Sequence, residues 1–136
     1  MKITALVFLL LLVSGMAVHS AEPSKISDSQ AKEVIVASLT VQQRRLPKLQ
    51  VEQFYESGSS KFWFFTVMWE GLPKGSAVVG NYAVDPYTGD VFSAVASCDE
   101  IHTQTLQDLQ RRIRASLHLS KSEYHRLKTK GPLCEE

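Results

Sequence analysis

Lys61-Phe62-Trp63-Phe64-Phe65-Thr66-Val67-Met68-Trp69 is the stretch on which the fold turns. Successive side chains of a strand point to opposite faces. Read that way, Phe62, Phe64 and Met68 share one face, and Trp63, Phe65, Val67 and Trp69 share the other. Aromatic and β-branched residues dominate and neither Gly nor Pro interrupts them, so the stretch reads as a strand. A strand apolar on both sides needs two covers, because apolar surface left in water costs roughly 25 cal/mol per Å².

Helical covers lie on either side of it in the chain. Ser27-Asp28-Ser29-Gln30 has the S-x-x-Q form of a capping box, with Asp28 suited to the positive end of a helix. Ala31, Val34, Ile35 and Leu39 follow at helical spacing. The pattern predicts a helix that begins at Ser27 and fades between Arg44 and Leu46, where Pro47 disfavours further helix. Downstream, Leu106, Leu109, Ile113 and Leu117 mark one face of a second helix. Another capping box, Ser120-Lys121-Ser122-Glu123, opens a shorter piece carrying Tyr124 and Leu127, and Gly131-Pro132 ends it. The helix from Ser27 is expected to cover one face of the aromatic strand and the C-terminal helix the other. Were the latter to pack elsewhere, Trp63 and Trp69 would form an interface.

The intervening segments read as strands and turns. Leu49 to Tyr55 alternates in part, Ser57-Gly58-Ser59-Ser60 is a turn by composition, and Gly71 to Gly75 breaks the aromatic strand. Ala77 to Val84 is a further strand, with Gly80 marking a bulge or a close approach. Asp85-Pro86-Tyr87-Thr88-Gly89-Asp90 is rich in turn residues, and Val91 to Ala96 resumes the strand pattern. The expected fold class is α+β: an N-terminal helix packed on a four-stranded antiparallel meander, plus a helical C-terminal extension over 97–136.

The first residues stand apart. Lys2 precedes an apolar run, Ile3 to Val13, and then Ser14-Gly15-Met16-Ala17, which is the layout of a secretory signal peptide over residues 1–20. Cleavage is expected between Ala17 and Ala21, leaving a single domain over 21–136 in the periplasm or outside the cell. The apolar run is shorter than the roughly 20 residues a membrane span needs, so no stable membrane anchor is expected after cleavage. The chain carries 15 Lys and Arg against 14 Asp and Glu, a balance that gives no reason to expect a nucleic-acid partner. Cys98 and Cys134 are the two cysteines, and in an exported chain two cysteines most often pair. Such a bridge would contribute roughly 3–4 kcal/mol through loop entropy. The competing reading is a reactive thiol at Cys98 with His102 nearby.

The capped helix, two strands, and a third strand running into Val84-Asp85-Pro86-Tyr87-Thr88-Gly89-Asp90-Val91 resemble the PepSY-like domains, small exported modules whose last hairpin often reads V-D-x-x-T-G-x-V. The resemblance spans Ser27 to Ala96. It implies a non-catalytic module that binds, and in some members inhibits, an extracytoplasmic enzyme. The basic tail and second cysteine after Ala96 have no counterpart in the minimal module. Cystatin-type inhibitors are similar in size and layout, but Ser76-Ala77-Val78-Val79-Gly80 stands where their Q-x-V-x-G wedge would be.

Motifs for chemistry are sparse. His102, His118 and His125 form no H-x-x-x-H pair, there is no C-x-x-C, and no G-x-S-x-G occurs, so neither a metal, a cofactor nor a catalytic set is expected. Glu52, Glu56, Glu70, Asp85 and Asp90 fall near strand ends, where carboxylates commonly terminate strands or cap turns. Between Arg111 and Lys130 seven cations face Glu123 alone, which suits an acidic partner. The expected contact residues are Trp63, Trp69, Tyr82, Asp85, Tyr87, Arg111, Arg112 and Arg114. The function expected from all this is an exported binding protein that inhibits a partner enzyme, in one version an immunity protein against a toxic envelope hydrolase. A binder of small ligands or envelope polymers is the alternative, and a small hydrolase the third reading.

Overall fold

The computed structural model describes residues 22–54, 61–95, 98–129 and 131–132. The expected signal peptide, the Ser57–Ser60 turn, Glu56 and Cys134 lie outside the described residues. Eight elements follow in order: α1 Asp28–Ser38, α2 Val41–Arg44, β1 Gln50–Phe54, β2 Trp63–Leu72, β3 Gly75–Val84, β4 Val91–Ser93, α3 Gln104–Ser116 and α4 Lys121–Leu127. The four strands form one antiparallel sheet in the order β1-β2-β3-β4, so the fold is the expected α+β meander with helices before and after it.

Three boundaries differ from the sequence reading, each for a local reason. The first helix stops at Ser38 and not near Arg44, because Thr40 starts a new one. The Thr40 hydroxyl accepts from the Gln43 backbone N–H at 3.2 Å, and the Gln43 side chain accepts from the Thr40 N–H at 2.9 Å. T-x-x-Q is as good a capping box as S-x-x-Q, and it competes with continuation of α1. Gly71 and Gly75 do not break the aromatic strand; they belong to β2 and β3, and Pro73-Lys74 makes the turn. The last strand is only three residues long: Ala94 still donates to the Asn81 carbonyl of β3 at 2.9 Å, but the chain then bends, the Ser93 hydroxyl donating to the Val95 carbonyl at 3.3 Å.

The longest pairing, β2 with β3, carries two register shifts. Val67 faces Gly80 while Met68 faces Val78, so Val79 is the extra residue of a bulge. A side-chain carbon added at Gly80 would lie 2.9 Å from the Tyr82 hydroxyl and 3.1 Å from its ring. Tyr82 is buried and has little room to withdraw. Gly80→Ala is therefore expected to cost about 1–2 kcal/mol through overpacking, read as a lower urea midpoint.

The two faces of β2 divide as the alternation requires. Phe65 and Val67 join Ile26, Ala31, Val34, Ile35, Ala37 and Leu39 from the N-terminal side, together with Val84, Val91, Leu106 and Ile113. Phe62 and Phe64 form a second cluster with Ala83 and Phe92 on the opposite face. Membership of Leu106 and Ile113 in the first cluster overturns the expected arrangement. α3 does not cross to the second face; it packs beside α1 on the first, and the Thr103 hydroxyl at its N-cap donates to the Ala37 carbonyl at 3.0 Å. The second face is closed at its β4 end by the chain after α4. A carbon added at Gly131 would lie 2.7 Å from the Phe92 ring, and Phe62 packs edge-on against that ring with centroids 5.7 Å apart. Farther along this face, Val78 is 60 % exposed.

Candidate functional site

The turn between β3 and β4 is braced from several sides. Asp85 accepts from the Tyr87 N–H at 2.9 Å, closing an Asx turn, and Gly89 sits at φ 71°, where a residue without a side chain is favoured. Thr88 donates to the Asp90 carboxylate at 2.9 Å. α3 then reaches over the turn from outside. The Gln110 amide donates to the Gly89 carbonyl at 2.8 Å, and Arg114 donates through Nε to the Thr88 carbonyl at 2.8 Å and through a terminal nitrogen to Asp90 Oδ1 at 2.6 Å.

α4 completes the brace. The Tyr124 hydroxyl donates to Asp90 at 3.2 Å, and the Arg114 guanidinium stacks 4.0 Å from the Tyr124 ring centre. Lys128 links Tyr124 to Glu100 at 3.1 and 2.9 Å. Burial pushes the Asp90 carboxyl above its ordinary range, and Arg114 and the Thr88 hydrogen bond pull it back only in part. Burial likewise raises the Tyr124 hydroxyl. For Lys128 burial works downward, but the bonds to Glu100 and Tyr124 outweigh it and hold the ammonium well above its usual range. From the other side Ile26 donates to the Pro86 carbonyl at 2.8 Å, and Tyr87 bonds Glu22 at 3.1 Å. The N-terminal leader is thus pinned to the same turn.

This geometry sorts the expected contact residues. Tyr82 and Asp85 are buried and present almost no surface, so they hold the sheet and turn from within. Trp63 packs partly buried against the first cluster. Trp69 is half-buried, its ring lying over Gly71. Tyr87 is half-buried, with Lys25 5.2 Å from its ring centre. The three arginines do not share one surface. Arg114 is consumed by Asp90, Arg111 pairs with Asp108 beside it, and Arg112 faces the other flank of α3. Cys98 is buried and is not a free thiol, which removes the reactive-thiol reading.

Two open grooves flank α3. One, of about 370 Å³, is polar and is lined by His102, Gln104, Gln107, Gln110, Arg111, Arg114 and Tyr124. The other, of about 470 Å³, runs between α1 and α3 and has an apolar floor. The sequence stripe Leu106-Leu109-Ile113-Leu117 concealed this second groove, because Leu109 reads as core. The signal that could have found it is Val36, an apolar residue off the buried stripe of α1. Among the described residues no group of three or more His, Cys, Asp and Glu could hold a metal ion. No helix there is long and apolar enough to cross a membrane.

No family model matches the chain, and no curated protein matches it. A solved structure does. It is a chain of a type VI secretion system effector-immunity complex from Pseudomonas protegens, at 21 % identity and a TM-score of 0.57. The match covers 76 % of this chain and 86 % of that one, so the shared feature is the domain fold as a whole and not a single hairpin.

Proposed function

We propose that the protein is an immunity-type inhibitor: an exported, non-catalytic domain that binds a toxic partner enzyme and occludes it. The observation that carries this reading is the fold held in common, over most of both chains, with a component of an effector-immunity complex. The polar groups support it. Asp85 closes a turn, Asp90 is committed to Arg114, and Glu70 pairs with Lys48 at 2.6 Å. Three carboxylates at strand ends are thereby engaged in structure, as such residues commonly are. The resemblance of the Val84–Val91 hairpin to PepSY-like domains is in keeping with this reading, since it implies a module that binds, and in some members inhibits, an extracytoplasmic enzyme. The signal-peptide layout of residues 1–20 supports an encounter in the periplasm or outside the cell, where Cys98 and Cys134 would be paired.

The test is co-production with the product of the adjoining gene, where the toxic partner of an immunity protein is expected to be encoded. The expected result is a stable complex, loss of the enzyme's activity on addition of the purified protein, and survival of cells that otherwise die when the enzyme reaches the envelope. An enzyme that remains fully active and free in the mixture would sink the reading.

A further inference from the structure

We propose that the groove between α1 and α3 is the docking surface, and that its occupant is an acidic segment of the partner protein presenting an apolar side chain. This rests on the inhibitor reading and adds to it a location and a chemistry. Val36 from α1 and Leu109 from α3 line the groove, with Ala37 between them. Val36 is 36 % exposed, an apolar side chain turned away from the sheet. α2, which contributes Arg44 to the groove, also carries Val41 at 55 % exposure. Two of the four large exposed hydrophobics among the described residues thus lie on the helices that border this groove.

Charge selects the occupant. Arg44 and Arg112 stand around the apolar floor with Glu33, while Lys32, also on the rim, is paired with Asp28 at 3.0 Å. Arg44 and Arg112 have no ion-pair partner among the described residues, whereas Arg111 and Arg114 on the opposite flank of α3 are both paired. Unpaired arginines framing a small apolar floor are the usual makings of a contact in which an anchor side chain enters the centre and carboxylates meet the rim. A basic segment would meet like charge, which is costly at an interface.

The experiment has two arms. In the first, methyl resonances of the purified protein are followed while a synthetic amphipathic peptide of Leu and Glu is added, and separately one of Leu and Lys. The expected result is movement of the Val36, Ala37 and Leu109 methyls with the Glu peptide only. Equal movement with both peptides, or none with the Glu peptide, overturns the proposal. Methyls that move with protein concentration alone would assign the groove to a second copy of this chain, which also overturns it. In the second arm, Arg44→Glu/Arg112→Glu is measured against the partner enzyme captured in the inhibition test above, with Lys121→Glu on exposed α4 as the control. About 100-fold weaker binding is expected for the double variant, one tenfold step for each reversed rim charge, and little change for the control. Unchanged affinity of the double variant in a complex that still forms overturns the docking surface and leaves the inhibitor reading standing. Failure of the unmodified protein to inhibit, with the Glu peptide still seated on the groove, does the reverse.

Discussion

Arg114→Met is expected to lower the unfolding free energy by about 3 kcal/mol, because it leaves Asp90 buried without its cation. Asp90 is 1 % exposed as a residue, and the Arg114 side chain is 18 % exposed, so water replaces little of what the guanidinium supplies. The Met side chain keeps most of the aliphatic contact, which separates loss of charge from loss of packing. Urea unfolding at neutral pH measures the effect, and a loss below about 1 kcal/mol would mean that the turn does not depend on this pair. Removing both charges, in Asp90→Asn/Arg114→Met, is expected to recover part of the loss, since no lone charge is then left behind.

The pH dependence of that same penalty follows from the sign of the Asp90 shift. Its folded pKa is raised by burial, so its contribution to stability is fully present below the unfolded carboxylate pKa and is lost as pH rises through the folded value. Without Arg114 the folded value moves higher still, so the loss extends over a wider range of pH. The gap between Arg114→Met and the unmodified protein should therefore be widest near pH 7 and narrow as pH falls into the carboxylate range. Asp108 and Glu123 work in the opposite direction, their carboxyls being held low by hydrogen bonds from Arg111 and Ser120. Their contributions fade as pH falls, but they do so in both proteins and cancel in the difference. A gap that widens on acidification would contradict the assignment.

Much of the fold could be read from local chemistry. The capping boxes at Ser27 and Ser120 start helices as their side chains require, and the alternation of Phe62 to Trp69 separates two clusters as a strand must. What could not be read was which side of the sheet α3 would take. Its stripe says only that one helix face is apolar, and two helices on one face satisfy that as well as one on each. The same limit hid the site. Arg111, Arg112 and Arg114 are neighbours in sequence, yet a helix turns about 100° per residue, so Arg112 leaves the flank of α3 that Arg111 and Arg114 share. One is locked on a buried carboxylate, one pairs along the helix, and one, with no ion-pair partner among the described residues, stands at the groove. The turn at Asp85–Asp90 was legible as a turn, but its burial depends on Gln110, Arg114 and Tyr124 arriving from far along the chain. Such long-range bracing leaves no periodic trace.

The largest loss of stability is expected from Phe65→Ala, about 3–5 kcal/mol, on the order of the whole stability of a marginal domain. Phe65 is fully buried at the centre of β2, pairing with Gln53 of β1 and Tyr82 of β3, in the cluster that joins the sheet to both α1 and α3. Removing its ring deletes apolar burial and also leaves a void, and the neighbours are poorly placed to close it. The strand is held by register on both edges, and each helix is pinned through its own contacts, α3 by Thr103 on Ala37 and by Arg114 on Asp90. Trp69→Ala on the same strand should cost less than half as much, because its half-buried ring rests over Gly71 and not within either cluster. Thermal and urea unfolding of the two variants side by side make the comparison. Equal losses would mean that the aromatic strand is anchored along its whole length, and that the division between a doubly paired centre and a freer Gly71 end is wrong. A larger loss at Phe65 places the anchor at the junction of sheet, α1 and α3, directly beneath the helices whose outer edges form the proposed docking groove.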